Sequence, residues 1–416
     1  MSFPFFLASR LSLKPVGGKS RTGIVIAVTG IALSMVIMLV SIAVLMGFRH
    51  EVRQKFTGFD SQITISRLLS STDREVPTVD IDSIANALNS LPSGTAVTLT
   101  IRQPAIIKTT DNFTGAVIKG MDRKHDWKFV RENIIEGSIP DYEADSTRYH
   151  IIISNAIASA LNLKLHDKVD AYFLGENSSY RTRRLKIAAI YDTHFIEYDK
   201  HYIFSTLPML QQLGNLPETQ GTVVEITGLS SDKEIDSTER LLTEQLTKAL
   251  YRGQTGRLYS VGNIHDSAAI YFNWLALLDT NVVVILTLMA MLGALTLVSS
   301  LFMLILRRVT MIGILKALGA TDRQIRTTFV LLTLRILAFG LVIGNVIGIS
   351  LIAIQESTHI LPLNPDAYYL NHVPVLISIP SILLLNGAVV ILAFLILILP
   401  SAIITTIPPS RAISYE

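Results

Sequence analysis

Arg307-Arg308-Val309-Thr310-Met311-Ile312-Gly313-Ile314-Leu315-Lys316-Ala317-Leu318-Gly319-Ala320-Thr321-Asp322-Arg323-Gln324-Ile325 is a short basic stretch with a long apolar run on either side. Leu275 to Leu306 precedes it and Phe329 to Ile354 follows. Two further runs, Gly23 to Met46 and Val375 to Ile407, are of the same kind. Each exceeds the roughly 18 to 20 residues needed to cross a hydrocarbon core of about 30 Å. Half of the 416 residues are hydrophobic, only 17% are charged and mean hydropathy is +0.45, a membrane composition. The first run is too long for the apolar part of a secretory signal. No small-x-small cleavage site follows it before Phe48 and Arg49, so it reads as an uncleaved anchor.

Basic residues in short flanking loops resist translocation and set the orientation. Arg10, Lys14, Lys19 and Arg21 precede the first run with no acidic partner; Arg307, Arg308, Lys316, Arg323 and Arg326 lie between the second and third. The loop from Gln355 to Pro374 has neither Lys nor Arg. Both termini and the insert are therefore expected in the cytoplasm. The expected division is a cytoplasmic segment 1–22, a first span 23–48, an outer domain 49–270 and a second span with an outer extension 271–306. After it come the insert 307–326, a third span 327–354, an outer loop 355–374, a fourth span 375–407 and a cytoplasmic tail 408–416. The net charge of only +3 supports this topology and says nothing for nucleic-acid binding.

Within 49–270 the pattern alternates between strand and helix. Ser61 to Ser66 alternates polar and apolar, whereas Ile81 to Leu88 repeats at helical spacing. Val97 to Lys108 and Thr114 to Lys119 predict strands around the turn Thr110-Asp111-Asn112, and Ser154 to Leu161 predicts a capped helix. Val169 to Leu174 and Arg183 to Ile190 flank a hairpin tip at Gly175 to Ser179. Gly221 to Thr227 predicts a strand and Lys233 to Leu250 an amphipathic helix. The outer domain is thus α+β, with a subdomain boundary expected at the polar stretch Asp141 to Tyr149. Without cysteine it depends on hydrophobic packing alone.

Several chemistries are missing. No Gly-x-x-x-x-Gly-Lys-Ser/Thr segment cradles phosphate, so ATP and its Mg would be bound by a partner. No His-Glu-x-x-His or Gly-x-Ser-x-Gly occurs, and the absence of cysteine excludes a soft metal site. His194 and His201 suit surface or packing roles better than a metal. No catalytic residue and no metal ligand is expected.

In the insert, Thr310 to Leu318 spans about two helical turns. Ile312, Ile314, Leu315 and Leu318 are apolar, while Gly313, Ala317, Gly319 and Ala320 permit close backbone approach. Gly319 predicts a helix stop, and Thr321-Asp322-Arg323-Gln324 has the Thr-x-x-Gln form of a capping box. On composition two readings stand side by side: a capped elbow that transmits motion, and an amphipathic loop lying on anionic lipid.

Ile312 to Ala320 resembles the coupling helix of FtsX-like and MacB-like ABC-transporter permeases, which docks on an ATPase subunit. Gly47-Phe48, the stretch Tyr368-Tyr369-Leu370-Asn371-His372-Val373-Pro374 and the tail Pro409-Ser410-Arg411-Ala412-Ile413-Ser414-Tyr415-Glu416 resemble the lipoprotein-releasing branch of that family. The resemblance implies an α-helical membrane protein of four transmembrane helices, with a large MacB-like α+β periplasmic domain between helices one and two. It also implies a bacterial inner-membrane location and a non-catalytic permease subunit. Its partners would be cytoplasmic ABC ATPase subunits, a second permease (a second copy or a sister subunit), membrane lipids, lipoprotein substrates and a periplasmic carrier. It makes 310–320 the ATPase-coupling segment, including Met311 and Lys316. The family's carrier-gripping hook bears proline, but the hairpin at Gly175 to Ser179 is short and has none. A MacB-like exporter and an FtsX-like relay to a cell-wall hydrolase are the competing readings.

Asp279 stands about 42 Å before Arg307 along a continuous helix, which places it at or above the outer headgroups, solvated. With Leu45, Met46, Phe48, Phe272 and Trp274 it is also expected to line an outer vestibule that admits acyl chains and the lipoprotein's N-terminal region. Arg335, inside the third run, is expected to snorkel toward the interface. Gly340, Gly344 and Gly348 form a small-residue stripe for helix packing.

Overall fold

No proline and no charge interrupts Thr22 to Phe48, and in hydrocarbon only a helix satisfies such a backbone from within. The computed structural model describes residues 3–10, 22–68, 77–122, 125–141, 145–174, 180–364, 368, 370–398 and 400–401. Four of its helices are long and apolar enough to cross a membrane: Thr22–Phe59, Ala269–Leu306, Asp322–Thr358 and Ile379–Ile398. The chain divides into two compact units, one of 1–50, 274–362 and 372–416, the other of 51–273 and 363–371.

In the first unit the glycine stripe of the third long helix meets the first. A Cβ at Gly340 would lie 2.7 Å from Ile31, and one at Gly344 2.7 Å from Met35 Cβ and 2.8 Å from the Ala32 carbonyl. Met35, Leu301, Phe329, Ile336 and Leu397 are fully buried around this contact. Asn345 and Asn386 exchange two amide hydrogen bonds of 2.8 and 3.0 Å between the third and fourth helices. Each such bond between apolar helices is worth about 0.6 kcal/mol. Over most of its length the second helix is exposed, and it joins the core chiefly through Leu297, Ser300, Leu301, Leu304 and Ile305 near its C-terminal end. Arg335 lies on the exposed surface of the third helix.

Helix ends differ from those expected from apolar runs, because a run stops at the first charge and a helix need not. The first helix continues through Arg49, Glu51, Arg53 and Lys55 to Phe59, since Val52, Phe56 and Phe59 recur at helical spacing and are buried. The fourth begins at Ile379, not at 375; the segment before it is not helical, and the Leu376 amide donates to the Ala43 carbonyl at 2.9 Å. Residues 399 and 402–407 of the expected fourth span, the tail 408–416 and the hairpin tip at 175–179 lie outside the described residues.

Among the described residues the second unit has twelve strands: β1 (Ile63–Arg67), β2 (Val79–Asp80), β3 (Ala96–Lys108), β4 (Phe113–Met121), β5 (Ile134–Gly137), β6 (His150–Ser154), β7 (Lys168–Leu174), β8 (Tyr180–Tyr191), β9 (Tyr202–Thr206), β10 (Gln220–Gly221), β11 (Val223–Thr227) and β12 (Tyr259–Asn263). Nine of them pair in the order β12-β1-β11-β3-β4-β9-β6-β8-β5, and β7, the tenth strand of this sheet, bridges β8 back to β3. The six strands β3, β4, β9, β6, β8 and β7 therefore close a circuit, from which β11, β1 and β12 extend as an open sheet. Pro104 stands where β3 has left β11 and is about to take up β7, and it has no N–H to leave unpaired. The subdomain boundary expected at 141–149 is not there: β5 and β6, on either side of it, both pair with β8. Ser154 caps Asn155–Leu161, accepting from the Ile157 amide at 3.1 Å. Ser231 caps the helix Asp232–Tyr251.

The far end of the first long helix is held in this second unit. Lys55 Nζ donates to the Thr193 carbonyl at 2.6 Å, and Phe56 packs against Phe195, Tyr198 and Tyr271. Lys119 Nζ donates to the Phe59 carbonyl at 2.8 Å and lies 2.9 Å from Glu225. Arg102 Nη2 donates to Glu225 and to Asp60, each at 2.6 Å. Burial alone would raise the Glu225 carboxyl, but Lys119 and Arg102 outweigh it and hold it at about 2. Beside this network Asp199 accepts from Thr193 Oγ1 at 2.8 Å, and burial pushes its carboxyl up to about 6.

Two outcomes follow from this packing. Gly344→Leu is expected to lower bundle stability in detergent by about 1–3 kcal/mol through overpacking, whereas Gly387→Leu, where a Cβ meets nothing within 4 Å, is expected to be neutral; equal melting temperatures would contradict the close contact. The Asp199 carboxyl is raised from its ordinary 3.8 to about 6, so its stabilisation is complete below 3.8 and lost as pH rises through 6. Unfolding of the solubilised chain followed across that window should lose this slope in Asp199→Asn.

Candidate functional site

The insert folds as a helix, Val309–Ala317, closed at both ends of the turn that follows it. Gly319 adopts φ +94°, its amide bonds the Lys316 carbonyl at 3.0 Å and the Ala320 amide bonds the Leu315 carbonyl at 2.9 Å. This is a Schellman stop, and glycine is there because a Cβ disfavours that backbone. Two residues on, Thr321 Oγ1 accepts from the Gln324 amide while Gln324 Oε1 accepts from the Thr321 amide, the reciprocal capping box. One helix thus ends and the next begins with the orphan groups at the junction bonded.

Burial divides the eleven residues expected to couple to an ATPase. Ile312 and Gly313 are buried, Ile312 among Leu304, Ile305, Ile325 and Phe329. Met311, Leu315, Lys316 and Ala320 are half-buried, and Lys316 is folded back onto Asp322 Oδ1 at 2.9 Å. Thr310, Ile314, Ala317, Leu318 and Gly319 are exposed. Positions 310, 314, 317 and 318 lie on one helical face, and on it Ile314 is 48% and Leu318 80% exposed. Arg326, read in the sequence only as a topological charge, donates to the Ile398 carbonyl and to Ser401, so it caps the fourth helix.

At the opposite end of the same unit the structure brings together part of the expected vestibule. The Phe48 and Trp274 rings meet edge to face at 6.1 Å. Asp279 is half-buried and has a partner, since Arg49, itself exposed, pairs with its Oδ2. The sequence did not reveal this pair because the two residues are 230 positions apart. Leu45 and Met46 are half-buried, and Met46 Sδ accepts from Ser381 Oγ at 3.5 Å. Phe272 packs in the second unit against His265 at 4.6 Å and Phe56 at 6.1 Å. Gly47 has a steric reason to be glycine: a Cβ would lie 2.5 Å from the Pro374 carbonyl oxygen.

Gln355 was not singled out in the sequence. It closes the start of the 355–374 loop by donating to the Val373 carbonyl at 3.0 Å and accepting from the Leu361 amide at 3.1 Å. Tyr368 is exposed; Tyr369 lies outside the described residues. His194 is 3.1 Å from Asp192 and His201 Nδ1 is 2.7 Å from the Glu197 carbonyl. Among the described residues no three His, Asp or Glu side chains are grouped to hold a metal.

Residues 283–409 match the FtsX-like permease C-terminal family. Over 99% of its length the chain is 21% identical to the lipoprotein-releasing system transmembrane protein LolC of Xylella fastidiosa strain Temecula1, covering 99% of that protein. It is 20% identical to the corresponding LolE of Haemophilus influenzae, with all of both chains covered. Among solved structures, the extracellular domain of the noncanonic ABC-type transporter YknZ from Gram-positive bacteria aligns at TM-score 0.33 and 16% identity, over 48% of this chain and 99% of that domain. The periplasmic region of MacB from Actinobacillus actinomycetemcomitans aligns at TM-score 0.33 and 16% identity, over 53% of this chain and 97% of that one. The chain therefore carries an FtsX-like permease domain and is similar throughout to LolC and LolE proteins.

Gly47→Ala should push the segment at Pro374 away from the first helix and expose the Leu376 amide. Hydrogen exchange of that amide is expected to accelerate by about tenfold or more, as for loss of one buried hydrogen bond; unchanged protection would contradict the contact.

Proposed function

We propose that the chain is the membrane-embedded permease subunit of an ATP-driven machine that releases lipoproteins from the bacterial inner membrane to a periplasmic carrier. Full-length similarity to LolC and LolE proteins supports the choice of substrate. The observation that carries the mechanism is the exposed face of Val309–Ala317 and its Schellman turn, with Ile314 and Leu318 uncovered on a helix whose other side is anchored by Ile312. A capped helix with one apolar face out transmits displacement to the two long helices it joins.

In this reading the termini and Val309–Ala317 face the cytoplasm and the strand-rich unit faces the periplasm, as the Lys and Arg of the short loops favour. Two partner ATPases bind ATP and Mg, because this chain has no phosphate loop. A second permease, identical or a sister subunit, completes the assembly. ATP-driven closure of the ATPases pushes on the exposed face around Leu318. The push brings the first and second helices of the two permeases together, and the lipid anchor is squeezed outward past Leu45, Met46, Phe48, Trp274 and the Arg49–Asp279 pair.

Burial of one leucine is worth about 1.5–3 kcal/mol, so Leu318→Glu is expected to weaken association with the co-purifying ATPase by about tenfold to a hundredfold. Lys316→Met, which removes the bond to Asp322, should change association by no more than about twofold. The two are compared by pull-down and by ATPase activity in proteoliposomes. In the same vesicles, loaded with lipoprotein, wild type should transfer it to a soluble carrier when ATP is added. ATPase coupling without transfer would sink the lipoprotein reading and favour an exporter or a signal relay.

A further inference from the structure

Residues Phe59 and Asp60, where the first long helix ends, occupy both ends of a closed chain of charges. The Phe59 carbonyl accepts from Lys119 at 2.8 Å, and Lys119 pairs with Glu225 at 2.9 Å. Glu225 accepts from Arg102 at 2.6 Å, and Arg102 donates to Asp60 at 2.6 Å. The three side chains come from three neighbouring strands, Arg102 from β3, Lys119 from β4 and Glu225 from β11. Arg102 and Lys119 sit directly opposite each other across β3 and β4, a like-charge pair that Glu225 neutralises.

A buried ion network is a poor choice for stability alone, because apolar residues of the same volume do as well or better. It is directional, however. Each bond fixes a distance and an angle, which hydrophobic packing does not. The last carbonyls of a helix carry its partial negative charge, and Lys119 is bonded to one of them. The β3 strand that carries Arg102 also runs on into the closed six-strand circuit. A pull or twist arriving along the helix is therefore passed by oriented bonds to β3, β4 and β11 together. An oil-like contact at the same place would let the helix end slip against the sheet.

We infer that the Phe59–Lys119–Glu225–Arg102–Asp60 ring is a force-bearing joint, with Lys119, Glu225 and Arg102 as positioning residues that make the end of the first helix and the strand-rich unit move as one body. Neither sequence periodicity nor the similarity to other permeases assigns these residues a role. The inference deepens the proposed function in naming what carries the motion, but the joint itself is testable without it.

The chain has no cysteine, so spin labels can be placed singly at will. Labels at Gln54, exposed near the helix end, and at Asp111, exposed in the β3–β4 turn, both lie in the second unit. In the reconstituted complex with its ATPase, wild type should give one narrow distance distribution that ATP leaves unchanged. The double substitution Lys119→Met with Glu225→Met removes both charges together and leaves Arg102 bonded to Asp60. It is expected to broaden the distribution when ATP is added, with melting temperature and basal ATP hydrolysis kept. Lipoprotein transferred per ATP should fall by about tenfold, the worth of one charge-assisted hydrogen bond. A wild-type distance that shifts with ATP, or a double variant with an unchanged distribution, overturns the joint. If the double variant does not fold, Lys119→Met alone, which leaves Glu225 paired with Arg102, supplies the same comparison. Absence of transfer in wild type would sink the release function and leave the distance measurement to decide the joint.

Discussion

A backbone amide or carbonyl in hydrocarbon has no water to bond, and the apolar unit is arranged around that constraint. Within a helix the groups satisfy one another, and at the described breaks several of the remaining groups are bonded as well. Gly319 and Ala320 return their amides to Lys316 and Leu315, Thr321 and Gln324 bond reciprocally, and Arg326 takes the carbonyl of Ile398. Gln355 closes the next loop with both ends of its amide, and the Leu376 amide reaches the first helix at Ala43. The short helix that projects Ile314 and Leu318 can stand proud of the bundle because its own ends are settled in this way.

The strand-rich unit meets the same constraint with different means. Its circuit of six strands leaves β3 and β8 bonded on both sides, and Pro104 falls where a missing N–H does no harm. Two charges buried deep in its interior, Lys119 and Glu225, are paired with each other. The apolar unit uses few such bonds. It relies on glycines that let helices touch, at Gly340, Gly344 and Gly348, and on one amide exchange between Asn345 and Asn386. The contrast follows from solvent: water drives apolar side chains into a strand core, whereas between helices in lipid only close packing and polar bonds distinguish one contact from another.

Much of the local structure was legible before any coordinates. Gly319, the Thr321–Gln324 box and the Ser154 cap each act within a few residues of themselves, so their consequences can be read in place. Other features were misread for a reason that is equally physical. The helix beyond Phe48 is charged on its exposed side, and only the burial of Val52, Phe56 and Phe59 in the strand-rich unit keeps it a helix. The Arg49–Asp279 pair was not foreseen because its two members are remote in sequence, and neither was the packing of Phe272 against His265. The bond from Lys316 to Asp322 was also not foreseen.

The sequence by itself determined the membrane class, the four apolar helices, the α+β character of the intervening region and the capped elbow at 307–325, because length, hydropathy and capping are properties of contiguous residues. Tertiary structure alone decided which side of that elbow is free and how β7 closes the strand circuit. It also decided how the end of the first helix is clasped by Lys119, Glu225 and Arg102. Those outcomes depend on residues far apart in the chain meeting at distances of about 3 Å, and a pattern of neighbours carries no information about such meetings.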